Sequence, residues 1–190
     1  MWRQLKIALI ILGLFTVVTG MLYPLLVTGI AQAFFRNQAN GSMIKEEGIE
    51  IGSELIGQPF DDPKYFWGRL SATSPFPYNA ASSSGSNYGP LSPELRQAIQ
   101  TRIEALKAVD PANNQPIPVD LVTYSASGLD PHTSIAAANY QVPRVARYRG
   151  LSEQQVIELV KQFTDGRQFG VLGEPRVNVL KLNIALDSVK

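Results

Sequence analysis

Residues 7–35 read IALIILGLFTVVTGMLYPLLVTGIAQAFF, 29 in a row without Asp, Glu, Lys or Arg. A helix needs ~20 predominantly apolar residues to cross ~30 Å of hydrocarbon. The run therefore predicts a membrane span with length to spare for tilt or for extension past the bilayer. Ala31-Gln32-Ala33 has the small-x-small spacing of a cleavage site, but signal h-regions run only ~7–15 residues, about half this length. The expectation is an uncleaved anchor over residues 1–36, in contact with membrane lipid.

The flanks give a direction. Arg3 and Lys6 precede the run, whereas Arg36 is followed by no basic residue until Lys45, which stands beside Glu46 and Glu47. The positive-inside rule puts the N-terminus in the cytoplasm and residues 37–190 outside. Within the helix, Gly13, Thr16 and Gly20 fall at i, i+3 and i+7, small residues that let another helix approach closely. Pro24 has no N–H to give and leaves a carbonyl free for a neighbour. With no charge inside the span, this helix alone offers no ion pathway or proton relay.

The whole chain has 190 residues, 17% of them charged, and a net charge of +1. Residues 1–36 carry +3 and the remaining 154 carry −2. That balance argues against nucleic acid or another polyanion as a partner. There is no cysteine and one histidine, which excludes a disulfide framework, a Cys-ligated metal, a cysteine nucleophile and a His-cluster metal site. A domain of this size buries roughly 68–70% of its surface and needs no covalent staple.

Beyond the anchor, residues 37–47 read as a polar linker and 48–190 as a soluble domain. Gly48 to Gly57 predicts a short strand. Tyr65-Phe66-Trp67 predicts a core anchor rather than a base-stacking platform, since only Lys64 and Arg69 are near. From Ser71 to Pro90 the chain is Ser, Pro, Asn, Gly and Ala, a long hydroxyl-rich loop. Ser92-Pro93-Glu94 opens a helix with Leu95, Ala98, Ile99, Ile103 and Leu106 on one face, ended by Asp110-Pro111. Ile117 to Tyr124 predicts a strand. Asp130-Pro131-His132 predicts a turn into a short helix, Ile135 to Gln141, halted before Pro143. Ser152 to Phe163 predicts a helix with a capping box between Ser152 and Gln155 and a staple between Leu151 and Val156. In Arg176 to Asp187 the alternation of Leu180, Leu182, Ile184 and Leu186 predicts a strand. With no repeat and no regular βα alternation, the fold class is α+β: one transmembrane helix followed by a mixed extracytoplasmic domain.

Catalytic patterns are sparse. The chain has no P-loop, no Asp-Lys-Thr-Gly phosphorylation sequence and no G-x-S-x-G elbow. A hydrolase would have to use His132 with Asp130 and Ser127 or Ser134, or a pair of carboxylates. Leu151 to Gln155 has the L-S-x-x-Q outline of the ABC-transporter signature, which makes Ser152 and Gln155 the candidate nucleotide contacts. Glu153 and Gln154 stand where that signature needs glycines, and the capping box accounts for Ser152 and Gln155 without a ligand.

Longer stretches carry a family resemblance: TGMLYPLLVTGIAQAFFRNQANGSMI from Thr19, then IGQPF, YFWGR and SSSGSNYGP, then SGLDPH, YQVPRVA, RGL and GEPRVNVLKLN. The chain resembles the KdpC family, accessory subunits of bacterial potassium-transporting P-type ATPase complexes. The similar blocks, Thr19–Ile44, Gly52–Gly89 and Ile117–Asp187, cover 135 of 190 residues. Leu70 and Arg36 stand where the family pattern has Pro. The resemblance implies a single-pass protein of the bacterial inner membrane with a periplasmic domain. It implies three partners: a channel-like potassium-binding subunit, a P-type ATPase subunit and a small one-helix subunit. It implies no covalently bound cofactor, potassium as the transported ion, and a catalytic-chaperone role that raises the ATPase subunit's affinity for ATP. Since ATP is cytoplasmic and the domain is expected outside, indirect coupling is the favoured reading.

Overall fold

The computed structural model describes residues 1–189; Lys190, the last residue of the expected soluble domain, lies outside them. The chain forms two compact units, one from Met1 to Ser53 and one from Glu54 onward.

The first unit is the apolar helix and a hairpin. Trp2–Val17 (α1) and Tyr23–Phe34 (α2) are joined through Val18–Leu22, a π-helical turn. Together they make one 33-residue helix long and apolar enough to span a membrane. Pro24 explains the wide turn. In a regular α-helix its ring would collide with the carbonyl four residues back, that of Gly20. Here the Tyr23 N–H reaches the Val18 carbonyl instead, an i→i−5 bond that absorbs one extra residue.

The expected linker is structured. Arg36–Ala39 (α3) is followed by Met43–Glu46 (β1), which pairs antiparallel with Ile49–Ser53 (β2). Glu47 and Gly48, both at positive φ, form the two-residue turn that matches strand twist. The Asn40 side chain donates to the Arg36 carbonyl at 2.7 Å and Ser53 Oγ donates to the Gly41 carbonyl at 2.7 Å. Polar side chains thus close the segment locally, which polarity alone does not reveal.

In the second unit, Pro93–Val109 (α4), Val119–Val122 (α5), Ile135–Arg149 (α6), Glu153–Gln162 (α7) and Val179–Ser188 (α8) surround a small sheet. Its strands are His132–Ser134 (β3), Thr164–Asp165 (β4) and Arg176–Asn178 (β5), antiparallel in the order β3-β5-β4. Helices and strands together make the unit α+β, as expected.

Three expectations are corrected. Ile117–Tyr124 is not a strand: Pro118 caps a single helical turn, and only Tyr124 bridges to Leu70. Pro143 does not halt α6 but sits inside it, where the carbonyl it deprives belongs to exposed Asn139. Arg176–Asp187 is a strand only to Asn178. The Asn178 side chain then accepts from the Lys181 N–H at 3.0 Å and starts α8.

Two cores flank α6. Phe66 packs with Val142, Val145, Val156, Val160, Leu182 and Leu186. Trp67 packs with Leu106, Leu121, Ala137 and Tyr140. Adjacent residues of an extended segment point to opposite sides, so one dipeptide anchors both cores. Its peptide groups are bonded by side chains. Asn183 Oδ1 accepts the Phe66 N–H and Asn183 Nδ2 donates to the Phe66 carbonyl, both at 2.9 Å. Gln141 Oε1 accepts the Trp67 N–H at 2.8 Å, and its Nε2 donates to the Trp67 carbonyl at 3.1 Å. Arg144 donates to Gln141 Oε1 and to the Pro63 carbonyl. Burial lowers the Arg144 guanidinium to about 10, still charged at neutral pH.

Candidate functional site

Gly13 and Thr16 lie on α1, and Gly20 lies within the π turn. Among the described residues, a Cβ at either glycine would meet nothing within 4 Å. The Thr16 hydroxyl bonds back to the Leu12 carbonyl at 2.8 Å and that of Thr19 to Phe15 at 2.7 Å, which hides their polarity inside the helix.

Ser152 and Gln155 form the capping box at the start of α7. Ser152 Oγ accepts the Gln155 N–H at 3.3 Å, and Gln155 Oε1 accepts the Ser152 N–H at 2.9 Å and its hydroxyl at 2.8 Å. The Ser152 hydroxyl and the Ser152 and Gln155 N–H groups, donors that a phosphate would use, are engaged within the box. Glu153 sits in the same first turn, where it suits the helix end and would repel an anion.

His132 lines a cavity of about 630 Å³, together with Arg69, Asp120, Asp130, Ser134 and Arg176. Three segments deliver these groups: the chain after Trp67, the α5 turn, and the β3–β5 ladder. His132 Nδ1 lies 3.2 Å from Asp130 Oδ1, and Nε2 lies 3.8 Å from Asp165 Oδ2. Arg69 reaches Asp130 at 3.4 Å and donates to the Tyr124 carbonyl at 3.0 Å. Burial pushes the Asp130 carboxyl up. Hydrogen bonds from the His132 ring and backbone and the Arg69 charge outweigh that and hold it below the usual carboxylate range.

No nucleophile–base pair results. Ser134 Oγ donates to Asp120 at 3.1 Å and accepts the Ala137 N–H at 3.0 Å as the cap of α6. Ser127 Oγ lies 3.2 Å from Ser125 Oγ and accepts the Leu129 N–H. Both His132 ring nitrogens face carboxylates, so the triad weighed from sequence does not assemble. Among the described residues no group of three or more His, Cys, Asp or Glu could hold a metal ion. Sequence reading missed Asp120 and Arg176 because no local pattern marks them; they meet His132 only through sheet pairing and the α5 turn.

Asp120 also closes the sheet edge. Its Oδ2 accepts the Ser134 N–H at 2.7 Å and the Thr133 hydroxyl at 2.8 Å, and Asp130 Oδ1 accepts the His132 N–H at 3.0 Å. Carboxylates thus satisfy two β3 amides at a sheet edge that would otherwise invite another strand.

Comparison with known proteins gives the family. The family described as "KdpC: K+-transporting ATPase, c chain" matches residues 5–188. A protein of Herpetosiphon aurantiacus named "Potassium-transporting ATPase KdpC subunit" is 67% identical over 183 residues, 96% of this chain and 95% of its own. Proteins of the same name are 64% identical in Dechloromonas aromatica, over 97% of both chains, and 60% identical in Methylococcus capsulatus, over the full length of both. With a profile spanning nearly all of it and relatives this similar end to end, the chain belongs to the KdpC family of K+-transporting ATPase subunits.

Proposed function

We propose that this chain is a non-catalytic accessory subunit that assembles and stabilises a K+-transporting ATPase, with potassium as the transported ion. The family match over residues 5–188 carries the reading. Its partners are a channel-like potassium-binding subunit, a P-type ATPase subunit and a small one-helix subunit. The span Trp2–Phe34 anchors it in the inner membrane, N-terminus inside. The domain that follows lies in the periplasm, over the potassium entrance. A tagged chain extracted with its membrane is expected to bring the ATPase subunits with it; a chain that purifies alone would overturn the reading.

The same extraction tests the helix face. Gly20→Leu is expected to lower recovery of intact complex several-fold and Ile11→Leu to leave it unchanged, because only the first fills a gap between helices. Equal recovery would remove Gly20 from the interface.

Orientation has its own test. Ser82 is exposed, and the chain has no native cysteine. Ser82→Cys is expected to react with an impermeant thiol reagent once the outer membrane is made permeable, before cell lysis. Labelling only after lysis would place the domain in the cytoplasm.

Coupling to ATP is indirect in this reading, transmitted through the span and the assembled complex. The engaged capping box supports it. Gln155→Ala is expected to cost about 0.5–2 kcal/mol of stability and to leave the ATP KM of the assembled ATPase unchanged. Gln155→Glu keeps the acceptor, suits the positive helix end, and is expected to be neutral or slightly stabilising. A several-fold rise in KM for both variants, with normal assembly, would instead make Ser152 and Gln155 nucleotide contacts.

A further inference from the structure

We propose that the loop Arg167–Glu174, with the cavity at its foot, is a docking finger for an extracytoplasmic loop of another subunit of the K+-transporting ATPase; this rests on the accessory-subunit reading above. At its tip Phe169 is 92% exposed, Val171 71% and Leu172 56%. Scattered exposed apolar side chains are ordinary, but here three large ones stand within four residues.

The finger is built rather than loose. Gln168 and Leu172 exchange both backbone hydrogen bonds at 2.9 Å. At the base, Arg167 Nη2 donates to both Glu174 carboxylate oxygens at 2.9 and 2.8 Å. Phe169 is held at φ +53, a left-handed conformation that suits Gly or Asn and disfavours a bulky aromatic. The chain thus accepts both an unfavourable backbone and an exposed ring at one residue.

The chemistry selects the occupant. Gln168 to Gly173 carry no charge, and Arg167 and Glu174 neutralise each other. A membrane-surface loop would instead offer Trp or Tyr with free Lys or Arg. An apolar protein pocket fits this tip, and an aromatic seated in one is the kind of anchor that dominates interfaces. At the finger's foot, Arg176 lines the 630 Å³ cavity. Its ladder neighbours are Ser134 and Asp165. The Asp165 carboxylate turns to His132, and among the described residues no ion pair engages Arg176. The matching partner loop therefore carries an apolar pocket and, beside it, a carboxylate for Arg176.

The test uses the full chain in its membrane complex. A photoreactive benzophenone amino acid at position 169 is expected to cross-link to a loop of another ATPase subunit. Cross-linking to lipid, to a second copy of this chain, or to nothing would overturn the proposal. Phe169→Asn, which accepts the left-handed backbone, is expected to cut recovery of partner subunits about tenfold while the free chain in detergent melts no lower. Arg176→Gln is expected to lower recovery in the same direction. Full recovery with Phe169→Asn would overturn the finger alone. Failure of the unaltered tagged chain to bring any ATPase subunit would overturn the accessory reading, and this proposal with it.

Discussion

Asn183→Asp is expected to destabilise the full chain by about 3–5 kcal/mol at pH 7.5 and by markedly less at pH 4.5. Asn183 is 1% exposed and makes two opposite bonds to Phe66, accepting from the N–H and donating to the carbonyl. An ionised aspartate keeps the first bond and loses the second. It then sets a buried negative charge against a carbonyl oxygen. Burial raises the pKa of such a group in the folded state above its unfolded value. Its protonated form is therefore favoured by folding. That stability is fully present below the unfolded pKa, ~3.9, and is lost as pH rises through the folded one. Protonated, the carboxyl can donate to the Phe66 carbonyl in place of the amide. Asn183→Leu leaves both Phe66 groups unpaired, at about 1–3 kcal/mol each, with no pH dependence of its own. Thermal melts of both variants against the unaltered chain at the two pH values check this. A cost of Asn183→Asp that stays flat or grows toward pH 4.5 would overturn the account.

The same residue shows where sequence reading stops. Val179, Leu182, Asn183 and Leu186 sit at i, i+3, i+4 and i+7, a helical face. A polar residue occupies one of its four places, and Leu180, Leu182, Ile184 and Leu186 also alternate. The strand reading followed the leucines and lost the helix. What makes Asn183 a core residue is a peptide group 117 residues earlier, and no local window holds both. Elements whose signals are local came through. The span, the caps at Ser92 and Ser152, and the aromatic pair Phe66-Trp67 depend on length, near-neighbour spacing or bulk. The cavity was half legible: Asp130, His132 and Ser134 share one segment, whereas Asp120 reaches it on the α5 turn and Arg176 through sheet pairing.

Gly128→Val is expected to cost about 2–4 kcal/mol and to release the 71–86 loop before the rest of the domain unfolds. Gly128 lies at φ +68, where a side chain is strained. A Cβ there would come within 2.6 Å of the Ser84 carbonyl oxygen and 2.6 Å of Thr73 Cγ2. One contact is backbone, so no rotamer change relieves it. The loop depends on this approach because the Ser71 and Ser83 hydroxyls bond to the 127–128 backbone. Ser71 Oγ donates to the Gly128 carbonyl at 2.7 Å and accepts the Tyr78 N–H at 2.9 Å. The Ser84 N–H donates to the Ser127 carbonyl at 3.0 Å. Thr73 Oγ1 donates to the Phe76 carbonyl at 2.7 Å and accepts the Asn79 N–H at 3.0 Å. A stretch that reads as a hydroxyl-rich loop is thus an internally bonded structure pinned at one glycine. Gly89→Ala is the control, since its Cβ meets nothing within 4 Å and its φ is not positive. Limited proteolysis and amide exchange across residues 71–86 are expected to accelerate in Gly128→Val and not in Gly89→Ala, with exchange in α6 and α8 changing less. Uniform acceleration across α6 and α8 would mean that the loop and the two cores unfold as one unit.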